Sequence, residues 1–354
     1  MKKSLTAVIA ASALTCSGAY AIGEIYDPPL PKSSPKVELL PDPWFTGPLL
    51  TPSGHVVPKG YINVEPYTFV TITDATYDSG WHAKSIPTIY TANFQFPIFF
   101  GLTRKMDFVI GPSASWNQTQ GVSTLVVNDF TTQVSYQVLE DTRDNELPGI
   151  KFYVQEKFPL GKYERRDPEK LGTDIGGGGS YVTTLGFAIT HLFQISGIHF
   201  LSARLNGLYK LPTNVSVRGV NAYGGAPNTK GTVKPGHCMS VLAALEYNLT
   251  QNWALAFDTF STYTYKTLFS GKNGTLPNGS KASVGAPASF QFSIAPAIEY
   301  NFSEGLGMIG GAWFTLAGKN SSRFYSAVFA INYFGPMPHA REDRYRTSGG
   351  GGAP

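Results

Sequence analysis

The sequence predicts an all-β protein: a transmembrane, antiparallel, up-and-down β-barrel of about twelve strands, with both termini on the periplasmic side. Three observations carry this expectation. The chain has 354 residues and is only 15% charged but 13% aromatic, with 19 Tyr and 23 Phe. Its mean hydropathy is nevertheless −0.09, whereas soluble domains carry about 25% charge and helical membrane proteins hold long apolar runs. Second, runs of about ten residues alternate apolar with neutral polar side chains, the period of a strand with two different faces. Third, the connections between runs alternate short and long, the asymmetry of outer-membrane barrels.

The N-terminus reads as a secretory leader, residues 1–21. Lys2 and Lys3 precede a short apolar core, Ala7 to Leu14, and Ala19-Tyr20-Ala21 is a small-x-small cleavage site. A lipoprotein leader acylated at Cys16 is the rival, but Thr15 fits poorly before such a cysteine. After cleavage Cys238 would stand alone, which excludes a disulfide framework or a Cys-based zinc site. Residues 22–58 are Pro-rich, including Pro28, Pro29, Pro31, Pro35 and Pro41, and should be extended. Two readings stand: a periplasmic leader, or a plug that enters the lumen.

The barrel is expected over 59–334. Tyr90, Ala92, Phe94, Phe96, Ile98 and Phe100 oppose Thr91, Asn93 and Gln95; Phe290, Phe292 and Ile294 oppose Ser289, Gln291 and Ser293. A soluble sandwich would put Lys, Glu and Arg on its polar face. Ser, Thr, Asn and Gln suit a wet, protein-walled lumen instead. Aromatics such as Tyr90, Phe100, Trp253, Tyr300 and Tyr333 end the runs, as interfacial belts do. Short turns are expected at Gly101-Leu102-Thr103, Asp141 to Leu147, Gln194 to Gly197, Thr250 to Asn252 and Ser303 to Gly305. Longer loops are expected near Thr73 to Ser85, Asn117 to Asn128, Gly161 to Gly179, Leu211 to Gly236 and Lys266 to Ala286. The last strand ends in Tyr333-Phe334, the kind of terminal aromatic that barrel-assembly machinery reads. Residues 335–354 follow as a disordered periplasmic tail.

Strand parity points Lys151, Tyr153, Lys157, Arg204 and Lys210 inward on one side, and Glu246, Asp258 and Glu299 inward on the other. Charges inside a membrane protein are costly and line a water-filled path. These eight are the expected pore-lining set. Either a transverse field crosses the lumen, or local ion pairs close it. Glu156 falls on the outward parity, where a charge belongs near a rim.

Catalytic signals are missing. None of the 6 His stands beside a Ser nucleophile in a recognisable arrangement. Gly111-Pro112-Ser113-Ala114-Ser115 misses the nucleophile-elbow pattern at its last position. Gly176 to Gly179 lacks the third glycine of a dinucleotide loop, and no carboxylates have calcium-loop spacing. The chain is therefore read as no enzyme, with no catalytic or metal residues and no cofactor. The formal charge of +4 is too small and scattered for a nucleic-acid partner.

Several segments then resemble a known family. Tyr61 to Thr71, Phe99-Phe100-Gly101-Leu102-Thr103-Arg104-Lys105-Met106-Asp107, Asn128-Asp129-Phe130, Phe158-Pro159-Leu160-Gly161 and Ala297-Ile298-Glu299-Tyr300-Asn301-Phe302 look like the outer-membrane family named for the meta-pathway of phenol degradation. Arg104, Asn128 and Leu160 stand where that family commonly has Asp, Gly and Thr. The resemblance implies a porin-like channel or transporter in the bacterial outer membrane, admitting small hydrophobic or aromatic solutes by passive or facilitated diffusion. Its expected partners are outer-membrane lipid and lipopolysaccharide, a small-molecule solute and the assembly machinery. The alternative is an adhesin-like surface protein acting through the loops Leu211 to Gly236 and Lys266 to Ala286.

Overall fold

The computed structural model describes residues 43–141 and 147–337. The leader, the first half of the Pro-rich segment and the tail beyond residue 337 lie outside the described residues. Among the described residues the chain is all-β apart from one 3-10 turn, Pro168–Lys170. Twelve crossings form the barrel. Four are broken once: β1 (Tyr61–Val64) with β2 (Tyr67–Tyr77), β3 (Ala83–Gln95) with β4 (Ile98–Gly101), β5 (Met106–Gly111) with β6 (Ser113–Thr119), and β7 (Val122–Val127) with β8 (Phe130–Leu139). Eight run unbroken: β9 (Gly149–Phe158), β10 (Val182–Ser196), β11 (His199–Pro212), β14 (Cys238–Asn248), β15 (Trp253–Thr264), β17 (Ser289–Ser303), β18 (Leu306–Lys319) and β19 (Ser322–Pro336). Neighbours pair antiparallel all round, and β19 closes the ring on β1 and β2.

The breaks have a chemical cause. Pro66, Pro97 and Pro112 have no N–H for the ladder, and they fall side by side. Glu65 N donates to Pro97 O (3.1 Å), Phe96 N to Pro112 O (3.0 Å) and Ile331 N to Pro66 O (3.2 Å), so the seam stays stitched by the prolines' carbonyls. Only one ladder is missing. β8 pairs with β9, but β7 pairs with β6 alone. The slot beside β7 holds the loop after β9: Thr124 Oγ1 lies 2.9 Å from Thr173 Oγ1, and Asn117 donates to Thr173 O.

The outer wall is apolar. On β14, Met239, Val241 and Leu245 are exposed while Ser240, Ala244, Glu246 and Asn248 are buried. A contiguous apolar belt of this extent has no place on a soluble monomer. No described helix is long and apolar enough to cross a membrane; the strands do it. Glu156, on the outward parity, accepts a hydrogen bond from Thr183 Oγ1 at 2.7 Å.

Two expected long loops are corrected. β2 and β3 continue to residues 77 and 83, and β6 and β7 to 119 and 122, so the connections there are tight. Gln120 and Gly121 take left-handed φ of 49° and 81°, the geometry of a two-residue hairpin that extends strand pairing beyond the bilayer. The polar residues read as loop are strand residues in water. Three connections at that end remain long, and two of them fold into a cap: β12 (Val215–Arg218), β13 (Lys230–Lys234) and β16 (Leu268–Lys272) form a separate antiparallel sheet. Val215, Val217 and Val233 are its buried face, packed against Tyr163, Tyr223, Phe269 and Val284.

Candidate functional site

The lumen is occupied at its short-turn end by residues 43–58. This segment has few partners of its own, so its backbone polar groups must be satisfied by the wall. Thr46 N donates to Glu299 Oε2 (2.9 Å), and Thr51 N and Oγ1 donate to Asp258 Oδ1 (2.9 and 2.7 Å). Gly54 N donates to Thr190 Oγ1 (2.7 Å) and Val56 N to Gln137 Oε1 (2.7 Å). Val57 N donates to Asp107 Oδ2 (3.1 Å). In the other direction Lys151 Nζ donates to His55 O (2.9 Å) and Gln137 Nε2 to Gly54 O (2.8 Å). The segment thus touches strands from both sides of the ring.

Small inward residues make the room. Leu49 is buried among Ala256, Ala295, Ile309, Val328 and Ala330. A Cβ on Gly311 would meet Leu49 Cδ1, and one on Gly307 would meet Thr46 Oγ1. Gly54 presses on the wall in turn; a side chain there would collide with the Gly149 carbonyl and the Thr190 amide.

The eight expected pore residues divide. Lys151, Glu246, Asp258 and Glu299 are buried; all but Glu246 bond the luminal segment directly. Arg204 Nη2 sits 2.9 Å from Glu246 Oε2, so the basic and acidic sides meet there rather than face each other across open water. Its Nη1 also reaches Thr51 O at 3.5 Å. Tyr153 is buried with its hydroxyl on Asn206 (Nδ2 to Oη 3.0 Å). Lys157 lies nearer the loop end, 3.1 Å from Asp129 Oδ2, and Lys210 pairs in register with Cys238. Asp129 also accepts from Gly161 N and Gly178 N, which folds the loop after β9 inward. Tyr223 Oη donates to Gly178 O (2.7 Å); burial, then Asp129 and Tyr163, push this phenol up to about 12.

Sequence reasoning did not find the aromatic patch in the upper lumen. Trp313 packs edge-on against Phe69, Phe260 and Phe324, with centroids 6.1, 6.1 and 4.7 Å apart. Its indole N–H donates to Ser293 Oγ at 2.8 Å. Leu50, Tyr67 and Phe69 continue the patch down to the luminal segment. Parity could have found it: Phe69, Phe260 and Phe324 share the inward face with polar neighbours Thr71, Thr262 and Ser326.

One Ser–His contact occurs: Ser53 Oγ lies 3.2 Å from His55 Nδ1. His55 N also donates to Ser53 Oγ at 3.1 Å, so the hydroxyl caps a local turn. Burial first, then Arg204 and Lys151, hold the imidazole down at about 4, with Asp141 opposing. At neutral pH the ring is uncharged. His191 Nδ1 instead lies 3.3 Å from Asp141 Oδ2 at the short-turn rim. Among the described residues no three His, Cys, Asp or Glu side chains converge to hold a metal.

No family model matches the chain, and no curated protein matches it in sequence. Solved structures do resemble it. An outer-membrane channel from Pseudomonas putida F1 superposes with a TM-score of 0.61 at 13% identity, covering 79% of this chain and 97% of that one. The β domain of the Bordetella autotransporter BrkA gives 0.41 at 7% identity, covering 77% and 98%. The fold is that of a bacterial outer-membrane β-barrel. With its apolar outer wall, the protein is a porin-like barrel that holds residues 43–58 of its own chain in its bore at the short-turn end.

Proposed function

We propose that the protein is an outer-membrane channel for small hydrophobic or aromatic solutes, gated by residues 43–58. The aromatic patch of Phe69, Phe260, Trp313 and Phe324 carries this reading. Polar solutes gain nothing from an apolar wall, whereas an aromatic ring gains about 0.5–1.5 kcal/mol per well-placed ring partner beyond area burial. The patch lies beside the luminal segment, so a solute resting on it waits at the closed end. The same class of solute is what the family resemblance implies, and the similar Pseudomonas putida structure is itself a channel. A surface-interaction role would not need aromatics inside the bore.

Orientation follows from the long connections, which in outer-membrane barrels face outward; the short-turn end and both termini would then be periplasmic. The slot beside β7 opens a recess of its own, away from the patch. A cavity of about 420 Å³ there is lined by Leu125, Val127, Leu160, Lys162 and Asp174. The test is uptake into proteoliposomes, comparing a phenolic solute with a sugar of equal size. Faster entry of the phenol than bilayer leakage allows, with little sugar entry, supports the proposal. Equal entry of both makes the bore a general pore, and entry of neither leaves the cap as the working part.

A further inference from the structure

The cap sheet has one buried face and one naked one, and the naked face is a cation array. Successive side chains of β12, β13 and β16 point to opposite faces. Val215, Val217 and Val233 point in; Ser216, Arg218, Lys230, Thr232, Lys234, and Lys272 point out and are exposed. The register lines them up. Arg218 lies opposite Lys230, and Lys230 opposite Lys272, which makes a row of three cations across three strands. The next row is Ser216, Thr232 and Ser270. Lys234 opposite Leu268 completes the face.

Like charges directly opposite one another on a sheet destabilise it, at a spacing of about 5 Å. No ion pair among the described residues relieves the repulsion. Among the described residues the ion pairs of the cap belong to Lys162, Arg165 and Arg166, and none involves the four cations of this face. One carboxylate beside the row, Glu164, accepts from the backbone N–H of Arg218 at 2.8 Å and pairs with the Arg165 guanidinium at 3.9 Å, not with a side chain of this face. A row of cations beside a row of hydroxyls is the arrangement that takes phosphate on sugar: the cations meet the phosphate oxygens, and the hydroxyls meet the sugar.

We infer that this face binds the phosphorylated sugars of the lipopolysaccharide surrounding the barrel. The choice of partner rests on charge complementarity and on place. The face sits at the end of an outer-membrane barrel that carries the long connections, and the phosphorylated glycolipid is the anionic lipid of the outer leaflet. The inference depends on that end facing outward, and it is independent of what the lumen carries. Bound this way, the glycolipid holds the cap sheet in place and fixes the loops over the mouth.

The experiment uses the full mature chain in nanodiscs. Binding of lipopolysaccharide is measured for the wild type, for the triple variant Arg218→Gln/Lys230→Gln/Lys272→Gln, and for a control with Lys59→Gln/Lys105→Gln at the short-turn end. Heat-modifiable gel mobility checks that each barrel is folded. The triple variant should bind about tenfold to a hundredfold more weakly, the control unchanged, and enzymatically dephosphorylated lipopolysaccharide should bind like the triple variant. Equal binding by the wild type and the triple variant, or undiminished binding of the dephosphorylated lipid, overturns the inference. Tighter binding of soluble polyphosphate than of lipopolysaccharide overturns the assigned partner. An impermeant maleimide should label Thr232→Cys on intact cells in a Cys238→Ser background; no labelling refutes the orientation and this inference with it, while phenol uptake reads the proposed function separately.

Discussion

The two ends of the lumen are built on opposite chemistry. At the short-turn end the wall is small and charged: Ala, Gly, Asp and Glu, with Lys151 and Arg204, close on a backbone segment and satisfy its N–H and C=O groups. Toward the loops the inward face turns aromatic around Trp313. Charges and aromatics on the bore wall offer different contacts. A carboxylate buried beside a peptide N–H is a fixed clamp on protein, while a ring face exposed to the lumen is a weak and reversible resting place for a solute. On the proposed function, the charged residues hold the gate and the rings meet the cargo.

The comparison breaks most directly if the clamp is removed. Deleting residues 43–57 should raise single-channel conductance in planar bilayers on the order of tenfold, because about twelve strands enclose a bore between the filled eight-strand and the open sixteen-strand barrel. Gly54→Val is the point-mutant version: its side chain meets the Gly149 carbonyl and the Thr190 amide, so the segment must lift from the wall. A conductance that stays at the wild-type level in both variants would mean that the loop end, not the luminal segment, limits flow.

How much of this was legible follows from what each feature needs. Alternation is local, so the expected runs Tyr90 to Phe100 and Phe290 to Ile294 fall on β3 with β4 and on β17. Inward parity of Glu246, Asp258 and Glu299 was likewise legible, since it needs only the period. What Asp258 and Glu299 hold was not. Their partners Thr46 and Thr51 lie more than two hundred residues away in sequence, and no periodicity links the two. The alanines and glycines opposite Leu49 were the available signal, because inward positions too small to fill a lumen imply that something else does. The tight connections at residues 78–82 and at Gln120-Gly121 were misjudged for another reason: beyond the bilayer a strand needs no apolar face, so its residues read as loop.

The gate should also be sensitive to acid, through His55. Around its ring stand Lys151 from β9, Arg204 from β11 and Asp141 from the turn after β8, and burial with the two cations holds it at about 4 against an ordinary 6.5. A lowered histidine favours the bound segment while the ring is neutral. That contribution is complete above about 6.5 and is lost as the pH falls toward 4, up to roughly 3 kcal/mol. Open probability should therefore rise between pH 7 and pH 4.5. In His55→Gln the part of the rise due to the imidazole should vanish, leaving whatever the wall carboxylates contribute. Superimposable pH profiles for wild type and variant would clear His55 of any role.

The smallest effect separates cargo from gate. Phe260→Ala with Phe324→Ala removes two rings of the patch but touches neither the hydrogen bonds nor the Leu49 packing that hold the luminal segment. Each lost ring pair is worth about 0.5–1.5 kcal/mol, so uptake of a phenolic solute should fall roughly two- to tenfold. Potassium conductance should stay near the wild-type value, because ions follow the water and not the rings. The reverse asymmetry is expected of Asp258→Asn, which weakens the clamp on Thr51 and leaves the rings alone: conductance rises while the preference for the phenol over a sugar of equal size persists. If the ring variant instead changes conductance and uptake in the same proportion, the aromatics are wall packing, and the division between a charged gate and an apolar resting site does not describe this barrel.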